Sequence, residues 1–140
     1  MYEYSCKVLR VVDGDTADVL ISCGFDIYHK CRIRLYGVDT PECRTRDKDE
    51  KVRGKLAKSF VENTIERGDE IIIRTRLKDS KGKFGRVLGE ILVDSININE
   101  ELVRKNLAVR YFGQSKDDVE AEHRINKQKL IDNKVYTPKN

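Results

Sequence analysis

The sequence contains no hydrophobic run long enough to cross a membrane. Its apolar stretches, such as residues 71–73 and 91–93, are short, whereas a membrane-spanning helix needs roughly 18 apolar residues in a row. The N-terminal segment also lacks the basic-then-apolar pattern of a signal peptide. We therefore expect a soluble, intracellular protein without a membrane partner, or a secreted one if a leader has been removed.

The residues that bind zinc are also scarce. The four cysteines form no C-x-x-C pair, and the sequence has two histidines. A structural zinc site takes Cys and His ligands at short, regular spacings, so zinc is not expected. A disulfide between Cys23 and Cys31 would suit a secreted protein. For an intracellular one we expect free, mostly buried thiols.

Length and charge indicate a small domain whose positive charge is unevenly distributed along the chain. The 140 residues suffice for one hydrophobic core, so residues 1–140 are interpreted as a single domain. The net charge is +4, but residues 44–55 carry six basic and three acidic groups, and residues 123–140 carry five and one. Concentrated positive charge suits a polyanionic partner. A solvated charged surface is the alternative.

Alternating apolar residues predict five strands, and apolar residues at helical spacing, together with a capping residue, predict three helices between and after the strands. The strands are expected at about 4–12, 16–22, 29–36, 70–77 and 86–93. The predicted helices run from Leu56 to a terminator at Gly68, over 100–106 with Asn99 as its cap, and over about 117–132. The polar residues 44–55 are interpreted as a mobile surface loop. This order is typical of an α+β domain, and a five-stranded barrel would leave few exposed strand edges.

Acidic residues at predicted strand ends suggest a catalytic site. They are Asp13, Asp15, Asp39 and Glu42. The carboxylates of Asp15 and Asp39 could converge on a hard divalent cation. Arg34 and Arg86 would then stabilise the charge of a phosphoryl transition state. Each piece alone also fits an ordinary turn or a surface arginine, so the hypothesis depends on their combination.

Three segments carrying these residues resemble the staphylococcal nuclease, or thermonuclease, family. They are residues 12–16 (VDGDT), 34–42 (RLYGVDTPE) and 84–86 (FGR), supported by 99–103 (NEELV). The segments stand in the family's order at compatible spacings, and the likeness covers about residues 4–135. The resemblance implies an oligonucleotide/oligosaccharide-binding (OB) barrel over about 4–112 with three helices. It also implies calcium-dependent hydrolysis of DNA and RNA that leaves 3′-phosphates.

The resemblance also assigns residues to roles. It implies that Asp15, Asp39 and the backbone carbonyl of Thr40 bind calcium. Glu42 would lie beside the attacking water, either as a general base or as a group that orients water and metal. Arg34 and Arg86 would hold the scissile phosphate. We expect the domain to act as a monomer.

Four further positions are implied to contact substrate: Lys83, Phe84, Tyr111 and Phe112. The family often has tyrosine at position 84, so this chain keeps a stacking face there and lacks the hydroxyl. Which of the rings at 111 and 112 supports a base stays open.

Two other functions compete with a nuclease. One is a non-catalytic barrel that binds single-stranded nucleic acid through a basic groove and stacked rings. Degenerate family members of that kind have usually lost acidic or arginine residues of the site. This chain retains five such residues: Asp15, Asp39, Glu42, Arg34 and Arg86. The other is a protein-interaction domain that docks through residues 123–140.

Overall fold

The computed structural model describes residues 2–78 and 86–138, and it contains five long strands, three short strands and three helices. The long strands are β1 Glu3–Asp13, β2 Thr16–Ser22, β3 Tyr28–Leu35, β5 Ile71–Lys78 and β6 Arg86–Val93. The short strands are β4 Val38–Asp39, β7 Ile96–Asn97 and β8 Val109–Arg110. The helices are α1 Lys48–Arg67, α2 Ile98–Arg104 and α3 Lys116–Asp132. None of these helices in the described ranges is long and apolar enough to cross a membrane.

The five long strands close into a barrel. They follow the order β3-β2-β1-β5-β6, and β3 also pairs with β6. This closing pair is parallel, with Arg32 opposite Arg86 and Leu35 opposite Gly89. The other four contacts between the long strands are antiparallel. Closure pairs the outer strands with each other, and it confirms the predicted α+β fold: a five-stranded OB-type barrel with three helices.

The hydrophobic core fills the barrel and extends under the helices. Along β2, Ala17, Val19 and Ile21 are buried while their neighbours are partly exposed, as alternation predicts. The largest fully buried apolar side chains are Ile33, Ile73, Ile91, Ile98, Leu102, Val19 and Val61. They come from strands as well as from α1 and α2, so one core joins the helices to the barrel.

The cysteines are free, as expected, but they differ in burial. Cys43 is buried, Cys6 and Cys31 are partly buried, and Cys23 is exposed. Burial raises the pKa of Cys6 and of Cys43 to about 11, in Cys43 with help from the neighbouring Asp13. Because the thiolate is the reactive form, both side chains are unreactive at neutral pH.

Helix α1 begins at Lys48, so the interpretation of residues 44–55 as a loop is wrong for most of that segment. The side chain of Asp47 caps the helix by accepting hydrogen bonds from the backbone N–H groups of Asp49 and Glu50, both at 3.0 Å. The carboxylates of Asp49 and Glu50 also lie in the first turn, where they favour the positive end of the helix. Local capping therefore outweighs the lack of apolar residues.

A buried carboxylate fixes the first turns of α1 to the C-terminal part of the chain. Asp49 is 6% exposed and accepts hydrogen bonds from Arg53 Nε at 3.0 Å and from the Tyr136 hydroxyl at 3.2 Å. Lys127 Nζ of α3 lies 3.3 Å from the same carboxylate. Burial and the adjacent Asp49 raise the pKa of Tyr136 to about 12. These partners offset the cost of burying the charge, and they anchor a segment that we predicted to be a mobile surface loop.

The cap of α2 is Asn97, and the prediction of Asn99 is wrong. Helix α2 begins at Ile98, and the Asn97 side chain accepts a hydrogen bond from the backbone N–H of Glu100 at 3.3 Å. Asn99 lies two residues further along, inside the first turn of the helix. It is 2% exposed, so its amide needs partners in the protein interior.

Asn99 finds those partners on the backbone around β6. Its amide nitrogen donates to the carbonyl oxygens of Tyr36, at 2.9 Å, and Gly89, at 3.2 Å. Its amide oxygen accepts from the Ile91 backbone N–H at 3.3 Å. One buried side chain thus joins α2, β6 and the turn after β3.

We expect Asn99→Ala to lower the free energy of unfolding by about 3 kcal/mol, because buried backbone groups lose their partners. Asn97→Ala removes the helix cap and should cost about 1 kcal/mol. Urea denaturation of the two variants measures the difference. Equal losses would contradict the bridging role of Asn99.

Candidate active site

A cavity of about 1340 Å³ lies beside the barrel and is lined by strand ends, α1 and α3. Six of its carboxylates come from the first half of the chain: Asp13, Asp15, Asp39, Glu42, Asp47 and Glu50. The four acidic residues predicted for the site are among them. Arg34 lines the same cavity. The structure therefore brings the predicted acids and one predicted arginine to one place.

Asp15 lies in the turn between β1 and β2 and is held from several sides. It is 8% exposed. One carboxylate oxygen accepts a hydrogen bond from the backbone N–H of Thr40 at 3.1 Å and lies 3.2 Å from Arg34 Nη1. The other accepts from the Thr16 hydroxyl at 3.0 Å. These contacts fix a buried negative charge at the edge of the cavity.

Glycine is required at position 14 because α1 packs against this turn. A Cβ atom on Gly14 would lie 2.7 Å from the Ala57 Cβ of α1 and 3.0 Å from Thr40 Cγ2. Neither neighbour is the end of a long flexible side chain. The Asp-Gly-Asp motif is thus a tight turn and part of the site at once.

Arg34 is fixed between the two predicted metal-binding aspartates. Its Nη1 donates to the carbonyl of Val38 at 2.8 Å and lies 3.2 Å from Asp15, while Nη2 donates to Asp39 at 3.4 Å. The Arg34 side chain is 15% exposed. A guanidinium held by carboxylates and carbonyls has a defined orientation before any ligand arrives.

Asp39 also contacts a residue that the sequence analysis did not assign to the site. His123 Nε2 of α3 lies 2.8 Å from Asp39 Oδ2. In the sequence His123 falls within a weak apolar stripe, 84 positions from Asp39. No local pattern links the two residues, because their contact depends on how α3 packs on the barrel.

Glu42 lies where the chain passes closely over α1. A Cβ atom on Gly54 would lie 2.5 Å from the Glu42 carbonyl oxygen and 2.8 Å from that of Pro41. The backbone N–H of Glu42 donates to Glu50 Oε2 at 3.0 Å. Glycine within α1 therefore allows the close approach that brings Glu42 to the cavity.

The environment of Glu42 favours its protonated form. Burial raises its pKa, and the nearby charges of Asp15, Asp13, Asp39 and Glu50 raise it further. A carboxyl group raised by burial and like charges is common at catalytic sites, although structural clusters produce the same effect. A higher pKa makes the ionised side chain a better proton acceptor.

The remaining predicted site residues are described to different extents. Tyr111 and Phe112 line the cavity with 43% and 80% of their surface exposed. Arg86 begins β6, and only its backbone is described. Lys83 and Phe84 lie outside the described residues.

The carboxylate oxygens of Asp15 and Asp39 are donors of the type that a hard cation prefers. Within the described ranges, Thr40 Oγ1 is the one buried side-chain polar atom without a hydrogen-bond partner, and it belongs to the residue that binds Asp15. The same ranges contain no group of three His, Cys, Asp or Glu side chains in metal-binding geometry. Two carboxylates would therefore need backbone carbonyls and water to complete an oxygen shell, as calcium allows.

The closed barrel and its cavity of carboxylates around Arg34 define a domain of the staphylococcal nuclease type. Residues 32–131, more than half of the chain, match the family of staphylococcal nuclease homologues. The chain belongs to this family.

Similar proteins come from bacteria and archaea. The chain is 33% identical over 116 residues to Endonuclease YhcR of Bacillus subtilis, covering 79% of this chain and 9% of that protein. An uncharacterised protein of Methanocaldococcus jannaschii is 33% identical over 129 residues, which cover 78% of this chain and 60% of that protein. An uncharacterised endonuclease of Escherichia coli is 29% identical over 114 residues, which cover 81% of this chain and 65% of that protein. The chain thus spans less than two thirds of each relative.

We expect Glu42→Gln to stabilise the protein at neutral pH in calcium-free buffer. A raised pKa means that the folded protein binds this proton more tightly than the unfolded chain does, so ionised Glu42 destabilises the fold as the pH rises. The gain should vanish below about pH 4, where the carboxyl is protonated in both states.

Urea denaturation at neutral and acidic pH tests this expectation. Glu62→Gln, at an exposed position of α1 away from the cavity, is the matched control. Its free energy of unfolding should equal that of the parent at both pH values. A Glu42→Gln variant that is less stable than the parent at neutral pH would contradict the expectation that ionised Glu42 destabilises the fold.

Proposed function

We propose that this domain is a calcium-dependent phosphodiesterase that hydrolyses DNA and RNA with little sequence specificity and leaves 3′-phosphates. The observation that carries the proposal is Arg34, whose guanidinium is held between Asp15 and Asp39 while Glu42 lines the same cavity. Family membership and relatives with endonuclease names support a nuclease, which is the general part of this proposal.

In the proposed reaction, the residues of the cavity bind the phosphate and orient the attacking water. Glu42 accepts a hydrogen bond from that water, and its raised pKa favours proton transfer. A new bond forms between the water oxygen and phosphorus while the bond from phosphorus to the 5′ oxygen breaks. The 5′ oxygen takes up a proton, and the phosphate stays on the 3′ oxygen.

Arg34 and Arg86 stabilise the charge that develops on the phosphoryl oxygens. Two N–H groups of a guanidinium match two phosphate oxygens, so the group is most useful if its direction is fixed in advance. For Arg34 the contacts with Asp15, Asp39 and Val38 supply that direction.

Asp15, Asp39 and the Thr40 carbonyl would hold the calcium ion, which when bound supplies positive charge beside the scissile phosphate. Within the described structure, Thr40 already connects these residues, since its N–H binds Asp15 and it follows Asp39 in the chain. The remaining ligands would be water, as expected for a site with few protein donors.

Substrate selection in this proposal depends on the backbone and on base stacking. Phosphate contacts carry no sequence information, and an aromatic ring stacks on any base. Tyr111 and Phe112 are exposed enough to support a base, and Lys83 and Phe84 are the further proposed contacts. A strand must be splayed to reach such rings, so single strands should be cut faster than stable duplex.

We expect plasmid DNA and RNA to be cleaved in calcium at about 0.1 to 1 mM, with magnesium a poor substitute. Magnesium requires a strict octahedron, whereas a shell completed by water is flexible. Gel assays with calcium, magnesium and excess chelator measure the effect. Full activity in chelator would exclude the metal assignment, and binding without cleavage would favour the non-catalytic barrel.

We expect Arg34→Lys to lower kcat by about 100-fold or more, because lysine keeps the charge but loses the two-pronged geometry. Arg86→Lys should behave similarly. Arg32→Lys is the matched control, because Arg32 shares the strand face of Arg34 but pairs with Asp18 at 2.8 Å outside the cavity. If Arg34→Lys and Arg86→Lys both cleaved at the parent rate, the arginines would not form a phosphate clamp.

A further inference from the structure

We propose that the cavity side of α3 is a second phosphate-binding surface, which holds the nucleic-acid strand beyond the scissile bond. We call this surface the α3 basic face and define it as Lys116, Arg124 and Lys127. The proposal takes its ligand, a single-stranded polynucleotide, from the proposed function. It adds where the rest of that strand lies.

Charge is segregated around α3. Helix α3 contains four Lys or Arg residues, and three of them line the cavity. It also contains five acidic residues, of which Glu120 alone lines the cavity. Asp117, Asp118, Glu122 and Asp132 are not part of the cavity wall. The helix as a whole is slightly acidic, yet it presents excess positive charge to the cavity.

The cavity needs this charge if a polyanion is to enter it. Among the described Lys and Arg side chains, Arg34 and Arg53 are the two that line the cavity from outside α3, and they face six carboxylates there. Arg53 is already paired with Asp49 at 3.0 Å. Without the α3 basic face, the described part of the cavity would repel a strand of phosphates over most of its length.

Two members of the α3 basic face are available to a ligand. Lys116 has 88% of its side chain exposed and lies 3.9 Å from Glu120, too far for a strong ion pair. Arg124 is exposed, and none of the ion pairs found in the described residues involves it. Lys127 instead lies 3.3 Å from Asp49 and contributes to the link between α1 and α3.

The dimensions suit a strand rather than a single nucleotide. The cavity of about 1340 Å³ is larger than the roughly 300 to 1,000 Å³ of pockets for small ligands. From Lys116 to Lys127 the helix rises about 16 Å, at 1.5 Å per residue. Tyr111 and Phe112 line the same cavity shortly before α3 begins. Stacked bases and bound phosphates could therefore alternate along one path.

The test measures binding of fluorescein-labelled oligothymidylate, about twelve nucleotides long, by fluorescence anisotropy in chelator over a range of salt concentrations. The variant is Lys116→Gln combined with Arg124→Gln, both at exposed positions. The matched control is Lys129→Gln combined with Lys134→Gln, which removes the same charge from exposed positions outside the cavity wall. Thermal melting checks that both variants are folded.

Each lost phosphate contact should reduce the slope of log K against log salt by about 0.7 and weaken binding about fivefold at 0.1 M salt. The double variant should therefore bind the long strand about 25-fold more weakly, with a slope lower by about 1.4. A labelled dinucleotide should bind the variant and the parent alike, because it does not reach α3. The control pair should leave binding of the long strand unchanged.

An unchanged salt slope in the α3 variant, or an equal loss in the control pair, would overturn the proposal. A parent protein that binds the long strand but cleaves neither DNA nor RNA in calcium would refute the nuclease and leave the α3 basic face supported. Failure of the parent to bind the long strand in chelator would overturn the α3 basic face, whereas the cleavage assay in calcium would still decide whether the domain is a nuclease.

Discussion

The site depends on how closely α1 approaches the two turns that carry its acids. At Gly54 and Gly14 the space is too small for a Cβ atom, because the carbonyl of Glu42 and the methyl group of Ala57 occupy it. Asp15 follows Gly14 directly, so one helix sets the positions of Asp15 and Glu42 together. A helix that lay further out would leave both acids without a fixed place at the cavity.

The same helix ties α3 to the site. The buried carboxylate of Asp49 binds Arg53 on its own helix and lies 3.3 Å from Lys127 of α3. Helix α3 in turn brings His123 to 2.8 Å from Asp39. The acids are thus supported from the barrel and from two helices, which gives a loop-borne site the rigidity of packed secondary structure.

Local patterns predicted the barrel and the acids, while long-range packing lay beyond them. Alternation and turn residues indicated the long strands, and the structure brings Asp15, Arg34 and Asp39, which the motifs singled out, to one cavity. The first turns of α1 were missed because capping and a buried carboxylate, rather than apolar periodicity, stabilise them. The sequence favoured Asn99 as a helix cap, because the residues around it in sequence give no indication of the buried carbonyls of Tyr36 and Gly89 that its amide binds. Contacts such as His123 with Asp39 become visible in the folded chain.

In the proposed nuclease, electrostatics would favour both a cation and a basic wall at the cavity. Seven carboxylates line one cavity, and together they repel a phosphate diester. Burial raises the pKa of Glu42, and the nearby charges of four of these carboxylates raise it further. A cation bound by Asp15 and Asp39 would reduce the repulsion where the chemistry takes place, but its field falls off with distance and with salt. The flanking phosphates of a strand lie beyond its reach and need counter-charges of their own. Under the proposed function, the metal would therefore serve the scissile phosphate, and α3 would serve the phosphates that follow it.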